Sequence, residues 1–101
     1  MVNYNDSKVY LVQDNDNPDL KYIGSTARDI KWRTREHKHH ANRYNRGTYG
    51  YNTVFVIINR GNYTTSIVEE YPCENRSQLE DREAYWINEM KPNVNKCKKR
   101  P

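Results

Sequence analysis

Val9, Leu11 and Ile23 alternate with Tyr10, Val12, Tyr22 and Gly24, a period of two that predicts strands over Lys8–Gln13 and Lys21–Ser25. The stretch between them, DNDNPDL, is dense in turn formers. The two strands therefore read as an antiparallel hairpin that sets Tyr10 and Tyr22 on neighbouring strands. Strand parity turns Tyr10 away from Val9 and Leu11, and Tyr22 away from Ile23.

The period then changes. Asp29 is a good N-cap, and Ile30–Asn45 contains no Gly or Pro, which predicts a helix. At about 100° per residue, Ile30, Thr34 and Ala41 form a narrow inner stripe bordered by Arg33, His37 and Tyr44. Lys31, Arg35, Lys38, His39 and Arg43 face elsewhere and make a basic surface. Arg33 and His37 are i, i+4 neighbours. The run TVFVIINRG is rich in β-branched residues, so local propensity assigns it to a strand. YTTSIVEEYP reads as a further strand ended by Pro72. Ser77 and Glu80 have the spacing of a capping box, predicting a last helix over Ser77–Met90. Its apolar stripe is Leu79, Trp86, Ile87 and Met90. Glu83 falls in the middle of that stripe, where a carboxylate is costly unless a cation meets it. The polar start, residues 1–7, and the basic end, 96–101, read as loose tails of one domain over 1–101.

Composition narrows the picture. A chain of 101 residues holds one modest core. One Phe stands against nine Tyr and two Trp, so the aromatic surface is amphipathic and suits a polar site or a nucleic-acid surface. The net charge of +4 and pI near 9.1 favour polyanionic partners through a salt-dependent attraction. Cys73 and Cys97 have no metal-site or CxxC spacing, and a reducing compartment is the simpler reading. No signal-peptide h-region opens the chain and no run approaches the roughly 18 apolar residues of a membrane span. The expectation is a soluble, intracellular monomer with no membrane partner.

Each unusual residue has an ordinary explanation. Glu83 could pair with an arginine, the strand tyrosines could be packing, and the HKHH run from His37 to His40 reads as a solvated basic face. Together, two strand tyrosines, an Arg–His helix edge and an inward Glu form a set suited to cutting a phosphodiester. A carboxylate can hold a hard cation, an arginine can neutralise growing phosphoryl charge, and a tyrosine or histidine can take a proton.

With these motifs the chain resembles the GIY-YIG endonucleases. Lys8-Val9-Tyr10 stands for the first motif, departing from it at Gly, and Tyr22-Ile23-Gly24 matches the second in full. RTREH supplies Arg33 and His37, LEDREAYWI supplies Glu83, and KPNVN supplies Asn95. The fuller runs YIGST and VEEYPCENRSQLEDRE look most like versions in large DNA viruses and phages. The resemblance implies an α/β (α+β) fold, a small three-stranded antiparallel sheet flanked by helices. It replaces the propensity strand in TVFVIINRG with a short helix that Asn52 caps and Gly61 ends. It implies a DNA endonuclease using one divalent ion, Mg²⁺ or Mn²⁺, on Glu83. Tyr10 would be the general base oriented by His37, although His37 has the more suitable unperturbed pKa for that role. Tyr22 and Arg33 would bind the scissile phosphate, and Asn95 would steady the site. Lys31, Arg35, Lys38 and Arg43 would contact DNA, with RNA open as a substrate. The alternative is a nucleic-acid-binding module of the same fold that no longer cuts.

Overall fold

The structure is a computed structural model that describes residues 3–96. Three strands, β1 (Lys8–Asp14), β2 (Lys21–Thr26) and β3 (Tyr63–Glu70), form one antiparallel sheet in the order β2-β1-β3. Four helices accompany them: α1 (Ile30–Asn45), α2 (Phe55–Ile58), α3 (Arg76–Met90) and α4 (Asn93–Lys96).

The predicted hairpin is present, with Tyr10 opposite Gly24 and Val12 opposite Tyr22. Both faces of β1 are covered. Tyr10 and Val12 belong to a buried cluster with Ala41 of α1 and Val54, Phe55, Ile57 and Ile58 around α2. Val9 and Ile23, of opposite parity, are also fully buried, on the face where α3 crosses β1 and β2. Full burial of such an aliphatic side chain contributes about 1.5–3 kcal/mol. These few residues therefore account for much of the sheet's hold on its helices. Between β1 and β3 the register shifts at Val9/Tyr10.

Asp29 caps α1, its side chain accepting from the N–H groups of Lys31 and Trp32. The segment that propensity assigned to a strand is the helix α2. Its cap positions are Val54 and Asn59, not the expected Asn52 and Gly61. Asn52 Oδ1 accepts the Val54 N–H at 3.1 Å from just outside the helix, and Gly61, at φ +89°, turns the chain into β3. Tertiary burial of Phe55, Ile57 and Ile58 outweighs their β preference.

Other expectations are corrected as well. The first residues are not loose from Asn3 onward. Tyr4–Asp6 form a 3-10 turn, Ser7 is buried, and the chain after β3 pairs with them through Tyr71 N–H to Ser7 O at 2.8 Å and Cys73 N–H to Tyr4 O at 3.0 Å. Helix α3 starts earlier than Ser77, because Asn75 is the cap that accepts the Gln78 N–H, while Gln78 Oε1 accepts the Glu74 N–H. Met90 ends α3 exposed, whereas of the expected stripe Leu79 is buried and Trp86 and Ile87 are half-buried. Lys96 closes α4, and Cys97 and the rest of the expected basic tail lie outside the described residues.

Candidate active site

A cavity of about 430 Å³ opens where the end of edge strand β2 meets α1 and α3. Tyr10, Tyr22, Ser25, Arg33, Glu36 and Glu83 line it. Tyr4, Arg28, Trp32, Arg76 and Glu80 extend its rim.

Hairpin register builds the tyrosine pair. Tyr10 and Tyr22 project from the same face, their ring centroids 6.5 Å apart. The Tyr10 ring folds over Gly24. A Cβ on Gly24 would lie 2.6 Å from Tyr10 Cζ and Oη and 2.9 Å from Tyr22 Cε2. Glycine in Tyr22-Ile23-Gly24 is therefore required by close approach of the two rings.

Helix α1 brings its i, i+4 pair to the Tyr10 hydroxyl. His37 Nε2 lies 2.7 Å from Tyr10 Oη, and Arg33 Nε donates to the same oxygen at 3.3 Å. With that oxygen accepting from Arg33, the phenol proton is directed to Nε2 of a neutral imidazole. His37 is buried at 2% exposure, not a boundary residue as its helical position suggested. Burial first, then the Arg33 charge and His40, push its pKa down to about 3. Burial raises the Tyr10 pKa against the opposing charge and hydrogen bond of Arg33. Burial raises that of Tyr22 as well, aided by Tyr10 and Glu83. In the free protein the three groups are thus neutral, and the Arg33 guanidinium faces them. Burial disfavours that charge, but the Tyr10 oxygen and the Glu36 carboxylate outweigh it and hold Arg33 above its ordinary value.

Glu83 projects from α3 into the same cavity and accepts a hydrogen bond of 2.5 Å from Ser25 Oγ. A carboxylate in an open polar cavity, beside hydroxyl oxygens, suits a hard divalent cation that keeps several of its waters. Among the described residues no group of three His, Cys, Asp or Glu converges on one point. The HKHH run makes no metal cluster: His40 instead stacks on Tyr49 at 4.2 Å.

Asn95 reaches a different place. Its side-chain amide pairs with the backbone of Ile23, Oδ1 accepting at 2.8 Å and Nδ2 donating at 3.0 Å. Asn93 Oδ1 accepts the Lys21 N–H at 3.2 Å. The two amides satisfy the open edge of β2 and fix the strand that carries Tyr22 and Gly24. The basic residues expected to meet DNA do not line this cavity. Lys31 and Arg35 line a second depression with Tyr63, Thr64 and Thr65. Lys38 is exposed, and Arg43 lies over the Tyr49 ring at 5.5 Å. The cations at the cavity are Arg28, Arg33 and Arg76.

Sequence reasoning missed Ser25 and Glu36. Ser25 directly follows the Tyr22-Ile23-Gly24 motif. Glu36 is three residues beyond Arg33, a helical neighbour whose spacing signals the ion pair that it makes with Arg33.

The chain matches the profile of the GIY-YIG catalytic domain over residues 7–98. No curated protein matches it. Among solved structures it is similar to that of the catalytic domain of homing endonuclease I-TevI, with a TM-score of 0.60 and 25% identity. That likeness covers 88% of this chain and 92% of the other. The antiparallel sheet with its helices agrees with the match, and the chain belongs to the GIY-YIG catalytic domain family of nucleases.

Proposed function

We propose that the protein is a DNA endonuclease that hydrolyses phosphodiester bonds with the help of one divalent cation. The observation that carries the reading is the meeting of Tyr10 Oη with His37 Nε2 and Arg33 Nε at one buried point beside the Glu83 cavity. The similar solved structure is a homing endonuclease catalytic domain, which favours DNA over RNA as the substrate.

The scissile phosphate enters against Arg33, whose guanidinium neutralises charge growing on the phosphoryl oxygens. Tyr22 donates its hydroxyl proton toward the same group and, being held neutral by burial, remains a donor at physiological pH. Water gives a proton to the Tyr10 oxygen while the phenol proton passes to His37 Nε2. The oxygen so released forms the new bond to phosphorus, the bond to the leaving oxygen breaks, and solvent protonates that oxygen. His37 is a weak base in the free site because of its burial first and the Arg33 charge second, and an entering phosphate offsets the part that Arg33 contributes. This relay gives Tyr10 and His37 successive parts in one proton transfer. Glu83, with Ser25 donating to it, is the residue that would hold the cation. When bound, such an ion supplies Lewis-acid polarisation of the phosphate and neutralises the leaving oxygen. Asn95 acts at a distance by fixing β2.

Supercoiled plasmid incubated with Mg²⁺ or Mn²⁺, and in parallel with EDTA, tests the reading. Nicking that requires the metal is expected. Salt-sensitive binding with intact plasmid under every metal would instead indicate a non-cutting module.

A further inference from the structure

The Arg33 guanidinium already has an anionic occupant. Its NH1 donates to Glu36 Oε1, and the pair spans i, i+3 on α1. The two side chains are 27% and 25% exposed, and both line the cavity. The contact is thus open to an incoming anion, unlike the buried Tyr10–His37 contact behind it. Arg33 spends Nε on Tyr10. The donors left for a phosphate are those of the NH1/NH2 end, where the Glu36 carboxylate sits. A carboxylate and a phosphoryl group present the same oxygen geometry to a guanidinium fork. They cannot both occupy one donor.

We propose that Glu36 is an internal mimic of the scissile phosphate, a positioning residue that fills the phosphate seat of Arg33 until substrate displaces it. The inference rests on the phosphodiesterase reading of the same cavity. While the seat is filled, Arg33 keeps its orientation toward Tyr10, and its charge is balanced. A backbone phosphate engages Arg33 only when enough neighbouring phosphates are bound to outcompete a carboxylate tethered to the same helix. Glu36 therefore weakens loosely seated DNA more than well-seated DNA, which makes it a determinant of substrate discrimination. His40, at i+4 on α1, lies close enough to feel the Glu36 charge. Glu80 and Arg76, which also line the cavity, form a more exposed ion pair within α3.

The test is binding of a short duplex DNA in EDTA by the parent, Glu36→Gln, Arg33→Ala and the double variant. Plasmid nicking kinetics run alongside. Glu36→Gln is expected to bind about three- to tenfold tighter, as for a charged hydrogen bond with one competitor removed. That gain is expected to vanish in the Arg33→Ala background. In nicking, KM should fall with kcat maintained. A gain of equal size without Arg33 would mean that Glu36 acts only through the general field of the cavity, and would overturn the proposal. So would a lower kcat at unchanged KM, the mark of a residue needed to orient Arg33 in the transition state. Binding read in EDTA does not depend on catalysis. A parent that fails to nick would sink the nuclease reading, and the binding cycle would still decide the assignment of Glu36.

Discussion

The Tyr10 phenol occupies the space that a side chain on Gly24 would need, 2.6 Å from the position of a Cβ there. Strand pairing puts these two residues directly opposite each other. One register thus fixes the location of the phenol and the identity of the residue beneath it. Gly24→Ala is expected to push the Tyr10 ring off His37. An added methyl in such a packed contact costs about 1–3 kcal/mol. Thermal melting should show that loss, and nicking should fall by more than the unfolded fraction explains. A variant as active and as stable as the parent would mean that the ring can move without consequence.

Neutral, buried His37 gives stability a specific pH dependence. Its pKa is about 3 in the folded state, below the ordinary value of 6.5. The unfolded chain therefore binds the proton first as pH falls, and stability is lost from about pH 6.5 downward at up to about 1.4 kcal/mol per pH unit. Urea unfolding between pH 7 and pH 5, above the range where carboxylates titrate, reads this group together with His40, whose partial burial also lowers its pKa. His37→Gln should flatten the slope in that window. An unchanged slope would show that another group carries it.

Asn95 is expected to matter for folding more than for chemistry. Its two hydrogen bonds hold the Ile23 backbone at the edge of the sheet. Asn95→Ala should cost about 1–3 kcal/mol through the stranded backbone groups. At a temperature where the variant is fully folded, kcat should stay within a few-fold of the parent. A loss of kcat of a hundredfold or more in folded protein would instead put the amide in contact with the reacting groups.

Much of this arrangement was legible in the sequence, for identifiable reasons. The period-two pattern and the turn-rich DNDNPDL stretch placed the hairpin, and Asp29 marked the start of α1. The i, i+4 spacing correctly joined Arg33 to His37, and the position of Glu83 within an apolar stripe marked it as unusual. Helix α2 was not legible from propensity, because Phe55, Ile57 and Ile58 are helical through the burial they gain. It came only from family resemblance. The ordering of Tyr4–Ser7 depends on contacts with Tyr71 and Cys73, which local polarity does not encode. The basic face of Lys31 and Arg35 was read correctly as exposed, but helical periodicity alone did not show that it lines a depression other than the Tyr10–Glu83 cavity.

Arg33→Ala should separate binding from chemistry. Seventeen Lys and Arg residues share the attraction to DNA, so affinity should change by no more than a few-fold. The transition-state charge has fewer partners, and loss of one such donor typically costs about 10²–10³ in kcat. Equal and small losses in both quantities would reduce Arg33 to one member of a basic surface.

The most direct test of the central claim is plasmid nicking in Mn²⁺ by the parent and by Glu83→Gln, with thermal melting as the control for folding. Glutamine keeps an oxygen for the Ser25 hydroxyl and removes the charge that would hold the cation. The parent should convert supercoiled plasmid to the nicked form. The variant should leave it intact while melting at or above the parent's temperature. Nicking by Glu83→Gln at a rate near that of the parent would contradict a cation held at Glu83, and an inert parent would contradict the nuclease itself.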